Sequence, residues 1–417
     1  MSLVDTLKNK DFSVPDEYEP TDYLRRMWAE GLGRLIVPEG YDSIEYLKKL
    51  SYEGLYRRYP SITDELRARL EYELDAIKTT DLTSGFLLAY DLFTFLREND
   101  IAVSPGCGAQ PGCLVSYCLG ITDVDPFMYD LVFERLINKL RTAFFLGPFI
   151  QVEIGGSKLL TDYIVEKYGE GMPAFLESLD MRYFDLKELS IIKETVKRIS
   201  RNTGNLIDLS KIDYKDAAVY EYIKSVKTDD LYLLNEITSK TFIEKQKLQS
   251  FDDLVARLAL DRPGPDYFSC PVYIRNQYND EKIEYECLEL APILSSTYGC
   301  IIYQEQIMQI LDCLGGFSLE QADLARRSMA KQLLSSTEEW KEFFVSGNVE
   351  EGIPGCVNNG FDKDMAENLY DRLSEAAKYA FNKSHAVGCA IITYCMAWLK
   401  YYFNPEYTEA VNEYKDY

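Results

Sequence analysis

The alternating residues Phe149, Gln151 and Glu153 in the run PFIQVEI pose the first chemical question of this chain. Side chains two apart in a strand share a face, so this strand would present one acid, Glu153, beside an aromatic ring and a neutral amide. Two-metal chemistry on phosphate esters needs a cluster of carboxylates, and one glutamate does not make one. A second feature is the glycine-rich stretch SPGCGAQPGCLVSYCLGITDVDP (Ser104–Pro126), where Gly106, Gly108 and Gly112 set a turn ahead of a helix-like segment. Backbone amides in such a turn can approach phosphate, but Pro111 has no N–H to donate, and a turn kept for folding alone carries the same glycines. A third is the basic group Arg326, Arg327 and Lys331. Arg327 and Lys331 stand four apart and share a helical face, a geometry that suits a polyanion and equally a solvated surface. The chain has one histidine, His385. A histidine-rich metal site is therefore excluded, and a nucleophile–histidine pair would have to use this residue.

The elements that must hold these residues follow from period and punctuation. Phe149–Ile154 and the segment MRYFDL read as short strands, while apolar spacing such as Ile307, Ile310, Leu311 and Leu314 predicts helices over much of the rest. With 417 residues, 47% of them hydrophobic, the chain can bury more than one core, and two or three domains are expected. No apolar run reaches the roughly eighteen residues of a membrane span, and the first residues lack the basic-then-apolar order of a secretory leader. The ten cysteines are scattered without a CxxC pair or a zinc spacing; they read as small core residues of a cytoplasmic protein. A net charge of −23 predicts weak duplex binding at physiological salt, because affinity for a phosphate backbone comes mostly from Lys and Arg displacing counterions. A local basic groove is compatible with that balance.

Several longer motifs occur in the order of one known family. RPGP (Arg262–Pro265), TYGCIIYQEQIMQI (Thr297–Ile310), GGFSLEQADLARRSMAKQ (Gly315–Gln332) and YAFNKSHAVGCAIITYCMAWLKYYFNPEY (Tyr379–Tyr407) follow the glycine-rich stretch. EYLKKLSYEGLYRRYP and RLEYELDAIKTTDLTSGFLLAYDLFTFLRENDI precede it. Together they resemble the palm and fingers of the bacterial DNA polymerase III alpha subunit, the family C replicative polymerases, over most of Tyr46–Tyr407. The resemblance implies an α+β, mostly helical fold: a polymerase-beta-like nucleotidyltransferase palm with a small mixed sheet, then a helical fingers domain. It implies a helical extension over residues 1–45, a reduced palm over 46–189 and fingers over 190–417. It also implies that Gly106, Gly108, Arg326, Arg327, Lys331, Asn382, Lys383 and His385 line the path of a nucleotide triphosphate. The family's histidine-rich phosphoesterase, clamp-binding, helix-hairpin-helix and OB-fold parts have no counterpart in these residues.

The departures from the family pattern point one way. Its palm strand reads like P-D-I-D-I-D-F, and the first two aspartates hold the catalytic metals. Those positions fall on Phe149 and Gln151, and the third acid on Glu153. A later segment like K-M-D-F-L-G-L supplies the remaining catalytic aspartate. The register anchored on LSIIKETVKRI sets Arg182 there, with Asp180 at the lysine position and Asp185 three residues on. Phenylalanine cannot ligate Mg²⁺, glutamine is a weak neutral ligand, and arginine would repel the cation. In the glycine loop, close to G-P-G-R-G-S-A-A-G-S in the family, Cys107 replaces the arginine and Ala109 and Cys113 replace the serines. Gln110 and Pro111 fill the alanine positions. The family thumb, many tens of residues between Ile154 and Arg182, is represented only by GGSKLLTDYIVEKYGEGMPAFLESLD.

The expectation is thus a catalytically inactive relative, without a cofactor, that binds a deoxynucleoside triphosphate or a replisome protein and has no membrane partner. Mg²⁺ enters only with residual activity. The alternative is an active DNA-directed DNA polymerase with rearranged ligands, using Glu153 and Asp185, with Asp123 or Asp125 as further acids. Those two belong to the LGITDVDP turn, which also reads as structural. A decaying gene that still folds would have neither ligand nor partner.

Overall fold

Side-chain caps start several of the helices in this computed structural model, which describes residues 36–140, 149–178, 181–225, 228–234, 244–262, 265–279 and 283–417. Most of the expected N-terminal extension, residues 1–35, and Asp180 fall outside the described residues. The chain divides into two compact units, one of residues up to Ile207 with Pro405–Tyr417, the other Asp208–Asn404. The division comes later than the expected palm boundary at 189.

In the first unit, α1 (Ser43–Arg58), α2 (Asp64–Thr79) and α3 (Thr83–Glu98) bury a shared core that includes Leu47, Leu55, Leu70, Ile77, Phe86, Leu92 and Leu96. Thr63 caps α2, its hydroxyl accepting from Leu66 N at 3.2 Å. After the glycine-rich loop comes the short helix α4 (Leu114–Leu119), which packs on α1 and α2. β1 (Phe149–Val152) and β2 (Arg182–Asp185) then pair in parallel. Parallel neighbours need a crossover connection, which α5 (Gly156–Tyr168) and α6 (Met172–Ser178) supply. Val103 adds an isolated antiparallel bridge to Val152. Among the described residues, the expected small mixed sheet is therefore a parallel pair with one antiparallel bridge. The strand expected to reach Ile154 stops at Val152, because Ile154 N donates to Ser190 Oγ (2.8 Å) and Gly155 turns the chain at φ 85°. α7 (Lys187–Thr203) follows β2 and ends at Gly204, in the left-handed region.

The second unit is helical: α8 (Ala217–Lys224), α9 (Phe251–Leu260), α10 (Pro265–Gln277), α11 (Leu290–Leu294), α12 (Gln304–Gly315), α13 (Leu319–Ala330), α14 (Leu334–Ser346), α15 (Lys363–Ala377) and α16 (Lys383–Tyr402). Capping boxes start α9 (Ser250 with Asp253) and α13 (Ser318 with Gln321). Ile307, Ile310, Leu311 and Leu314 are fully buried on one stripe of α12, as their spacing predicts. α13 packs on α12, α14 and α15, whereas α16 packs on α8 and α9. α17 (Asn404–Glu413) carries the chain back to the first unit, where Arg198 of α7 binds Glu409 and Glu413 at 2.7 and 2.6 Å. All ten cysteines are free thiols, most of them buried. Among the described residues, no helix is long and apolar enough to cross a membrane.

Candidate functional site

The two strands bring the expected metal positions together. Phe149 lies opposite Arg182, and Gln151 opposite Phe184. Residues paired across parallel strands point to the same side, so Phe149, Gln151, Arg182 and Phe184 form one face. Ile150 and Val152, fully buried, face the core on the other. Gln151 is buried, Phe149 half-buried, and Arg182 and Phe184 are exposed. This face carries no carboxylate. Its donor set of one amide, beside a guanidinium, does not fit Mg²⁺.

The two acids expected nearby have other partners. Glu153 lies one residue beyond the end of β1. Its Oε1 accepts from Lys193 Nζ (2.7 Å) and from Ala102 N (3.3 Å), and Lys193 also lies 3.3 Å from the Asp100 carboxylate. Burial lowers the pKa of Lys193, but its bonds and charge pairing with Glu153 and Asp100 outweigh that and raise it. Asp185 ends β2 with both oxygens on the first amides of the α5 region, accepting from Gly155 N (2.8 Å) and Ser157 N (2.9 Å). Gly155 has no side chain to cap α5, and Asp185 does it from a distance. Asp123 binds Arg58 (2.8 Å), and Asp125 accepts from Tyr59 Oη (2.6 Å) and Phe127 N (2.9 Å), the structural turn the sequence allowed. Among the described residues, no group of three or more His, Cys, Asp or Glu side chains could hold a metal ion.

The glycine-rich loop runs beside β1, with Ser104 N donating to Gln151 O (2.9 Å). Gly106 is enclosed: a Cβ there would fall 2.5 Å from Pro111 and 2.7 Å from Thr122 Oγ1. Gly108 has φ 65°, and a Cβ there would lie 3.5 Å from the Phe149 ring. The turn is thus kept, but its helix is closed from within. Buried Glu73 of α2 places Oε2 on Val115 N (2.9 Å) and on the Cys113 thiol (3.2 Å), while Cys113 Sγ accepts from Ser116 N (3.4 Å). Arg69 holds the other Glu73 oxygen at 2.6 Å. Gln110 donates to Ser116 Oγ (2.6 Å), and burial pushes the Cys107 thiol up to about 11.

The basic residues of the second unit form two sets. On α13, buried Asp323 accepts from Arg326 Nη2 (2.6 Å) and from Arg327 Nε (2.7 Å). Burial pushes the Asp323 carboxyl up, but the two guanidiniums outweigh it and hold its pKa below the usual value. Lys331 is exposed and stands just past the last turn as the C-cap rather than within the helix. At the start of α16, Asn382 Oδ1 accepts from Ser384 N (3.1 Å) and His385 N (3.4 Å), and buried Glu305 of α12 accepts from Lys383 N at 3.0 Å. Lys383 Nζ lies 5.8 Å from the Tyr303 ring centre. Burial lowers the His385 pKa, favouring the neutral ring. Its Nε2 lies 3.8 Å from Cys389 Sγ, one turn on. Arg262, of the RPGP motif, stacks on Phe381 at 4.2 Å and donates to Tyr379 O (2.7 Å). The sets sit on helices with different principal neighbours, and α12 touches both.

Sequence reasoning missed the anchors Glu73, Lys193, Asp323 and Glu305. Arg69–Glu73 and Asp323–Arg327 have i,i+4 spacing that could have signalled them. The Lys193–Glu153 pair has no local signature.

Comparison with known proteins supplies the lineage of this arrangement. The family profile described as the bacterial DNA polymerase III alpha NTPase domain matches residues 45–249, and that of the bacterial DNA polymerase III alpha subunit finger domain matches residues 188–352. A DNA polymerase III subunit alpha of Staphylococcus aureus (strain COL) is 26% identical, over 81% of this chain and 42% of the relative. That of Halalkalibacterium halodurans is 27% identical, over 96% of this chain and 44% of the relative. The chain therefore spans less than half the length of these relatives. The second alignment runs over 517 residues, longer than the 417-residue chain, so this relative carries internal sequence that the chain lacks. Matched in both its NTPase and its finger regions, the chain is a homologue of the alpha subunit of bacterial DNA polymerase III.

Proposed function

We propose that this chain is a non-catalytic palm-and-fingers homologue of the polymerase that acts by binding a deoxynucleoside triphosphate. The observation carrying the first half is the shared face of Phe149, Gln151, Arg182 and Phe184, which has no anionic oxygen for a cation. The alternative of rearranged ligands is weakened by the partners of Glu153 and Asp185, one in an ion pair and the other on helix amides. A reduced thumb is supported by the short β1–β2 connection through α5 and α6 and by the internal sequence present in the relative. The net charge of −23 supports weak duplex binding.

For the second half, the nucleotide phosphates would meet Lys331, exposed at the end of α13, and Lys383, whose charge is also felt by Asp252 of α9. Asn382 and His385 belong to the same reading through the family resemblance. Primer extension with the purified chain, dNTPs and Mg²⁺ tests the first half: no product is expected, and templated extension would overturn it. Calorimetric titration with dATP tests the second. Binding that Lys331→Ala/Lys383→Ala abolishes is the expected result. No binding at millimolar nucleotide would overturn the nucleotide role and leave a replisome protein as the partner class.

A further inference from the structure

In the second unit, the end of α13, the first turn of α14 and the last turn of α15 meet at a corner that holds more hydrogen-bond donors than partners. α13 packs on α14 and α15, which also pack on each other. Ser328 Oγ and Ser336 Oγ lie 3.0 Å apart, which sets the end of α13 against the start of α14. Cys356 N donates to Phe344 O (2.7 Å), so the chain returns beside the end of α14 shortly before α15 begins, and the two helices run antiparallel. Lys341 on Asp371 (2.6 Å) and Tyr370 Oη on Thr337 O (3.1 Å) tie the pair together. Thr337, one turn before Lys341, is then level with Ser374, one turn after Tyr370.

Three buried polar atoms on these packed helices have no hydrogen-bond partner: Arg327 Nη2 on α13, Thr337 Oγ1 on α14 and Ser374 Oγ on α15. All three can donate. Burying a donor without an acceptor is costly, and one such atom from each of three packed helices is a concentration that packing alone does not explain. Charge points the same way, since Asp323 is one carboxylate shared by two guanidiniums. The three residues are themselves only partly buried, so the corner lies near the surface, with exposed Lys331 one turn beyond Arg327.

We propose that this corner binds a phosphate-class oxyanion, with Arg327 Nη2, Thr337 Oγ1 and Ser374 Oγ as its donors. The proposal rests on the nucleotide reading only for the choice between free phosphate and the phosphates of a nucleotide. Thr337 and Ser374 lie outside the motifs that suggested that reading.

The test is calorimetry on the full chain with inorganic phosphate and, separately, with dATP, both without divalent cation. Wild type is compared with Thr337→Val, Ser374→Ala, the double variant and Lys383→Ala, with thermal melting as the check on folding. Each single change removes only a hydroxyl hydrogen bond, and a loss of roughly tenfold in affinity is expected from each. The double variant should lose more. Tighter binding of dATP than of phosphate, with the same sensitivity, identifies a nucleotide as the source; equal affinities identify free phosphate. Wild-type affinity in both single variants overturns the site. If Lys383→Ala alone abolishes dATP binding, the nucleotide reading stands and this corner does not. If phosphate fails to bind wild type at millimolar concentration, the proposal also fails.

Discussion

On the two-stranded sheet, the expected metal positions Phe149, Gln151 and Arg182 stand together on one face without a carboxylate among them. On the fingers-like helices, Arg326, Arg327, Lys331, Lys383 and His385 keep the expected identities, but the structure engages some of them internally. Asp323 holds both arginines, and burial favours a neutral His385. In the first region the question is whether the atoms needed for chemistry exist; in the second, whether they are available. A sequence motif answers the first question directly. The second depends on partners such as Asp323 and Glu305, which only packing reveals.

The largest effect expected is that of Asp323→Ala, which leaves two guanidiniums without their buried carboxylate. Urea unfolding should show a loss of about 3–5 kcal/mol. A loss close to zero would mean that these arginines are held by something else, and the contrast between the regions would weaken. The pH dependence sharpens the test. A carboxyl held below its unfolded value contributes stability that is complete above about pH 4 and is lost as pH falls through the lower folded value. Wild type should therefore lose stability in that acid range through a contribution that Asp323→Asn lacks.

Glu73→Ala should follow, costing about 2–3 kcal/mol in the same assay, since Arg69 retains contact with water while Val115 N and the Cys113 thiol do not. Asp185→Ala is expected to cost about 1 kcal/mol, the ordinary worth of a lost helix cap. A change in divalent-cation affinity with little change in stability would instead mark Asp185 as a ligand. The smallest effect concerns His385, the only histidine in the chain. Its ring resonances should titrate below the usual histidine value, because burial disfavours the charged form. The unfolded chain then binds the proton more readily, so this contribution is complete above about pH 6.5 and falls as pH drops toward the folded value. A raised pKa in an NMR titration would place His385 beside an anion instead.

Much of the fold could be read from the residues. The stripe of Ile307, Ile310, Leu311 and Leu314 is buried as its period requires, and MRYFDL contains β2. Arg182 pairs with Phe149 across the two strands. The extent of β1 was less legible, because the turn at Glu153 depends on Ser190, Gly155 and Lys193 acting together. The glycine loop disclosed its turn, but not that Glu73, about forty residues earlier, closes the helix behind it. Lys331 was assigned to a helix that ends one residue before it. Residue type and local spacing carried the fold; side-chain availability at the candidate site was decided by long-range ion pairs.

The most direct test of the central claim is Mn²⁺ binding to the full chain by electron paramagnetic resonance, comparing wild type with Glu153→Gln/Asp185→Asn. If the sheet face cannot hold the catalytic cations, both proteins show the same weak, diffuse binding of an acidic surface. A saturable site of about one or two ions per chain in wild type, lost in the double variant, would contradict it.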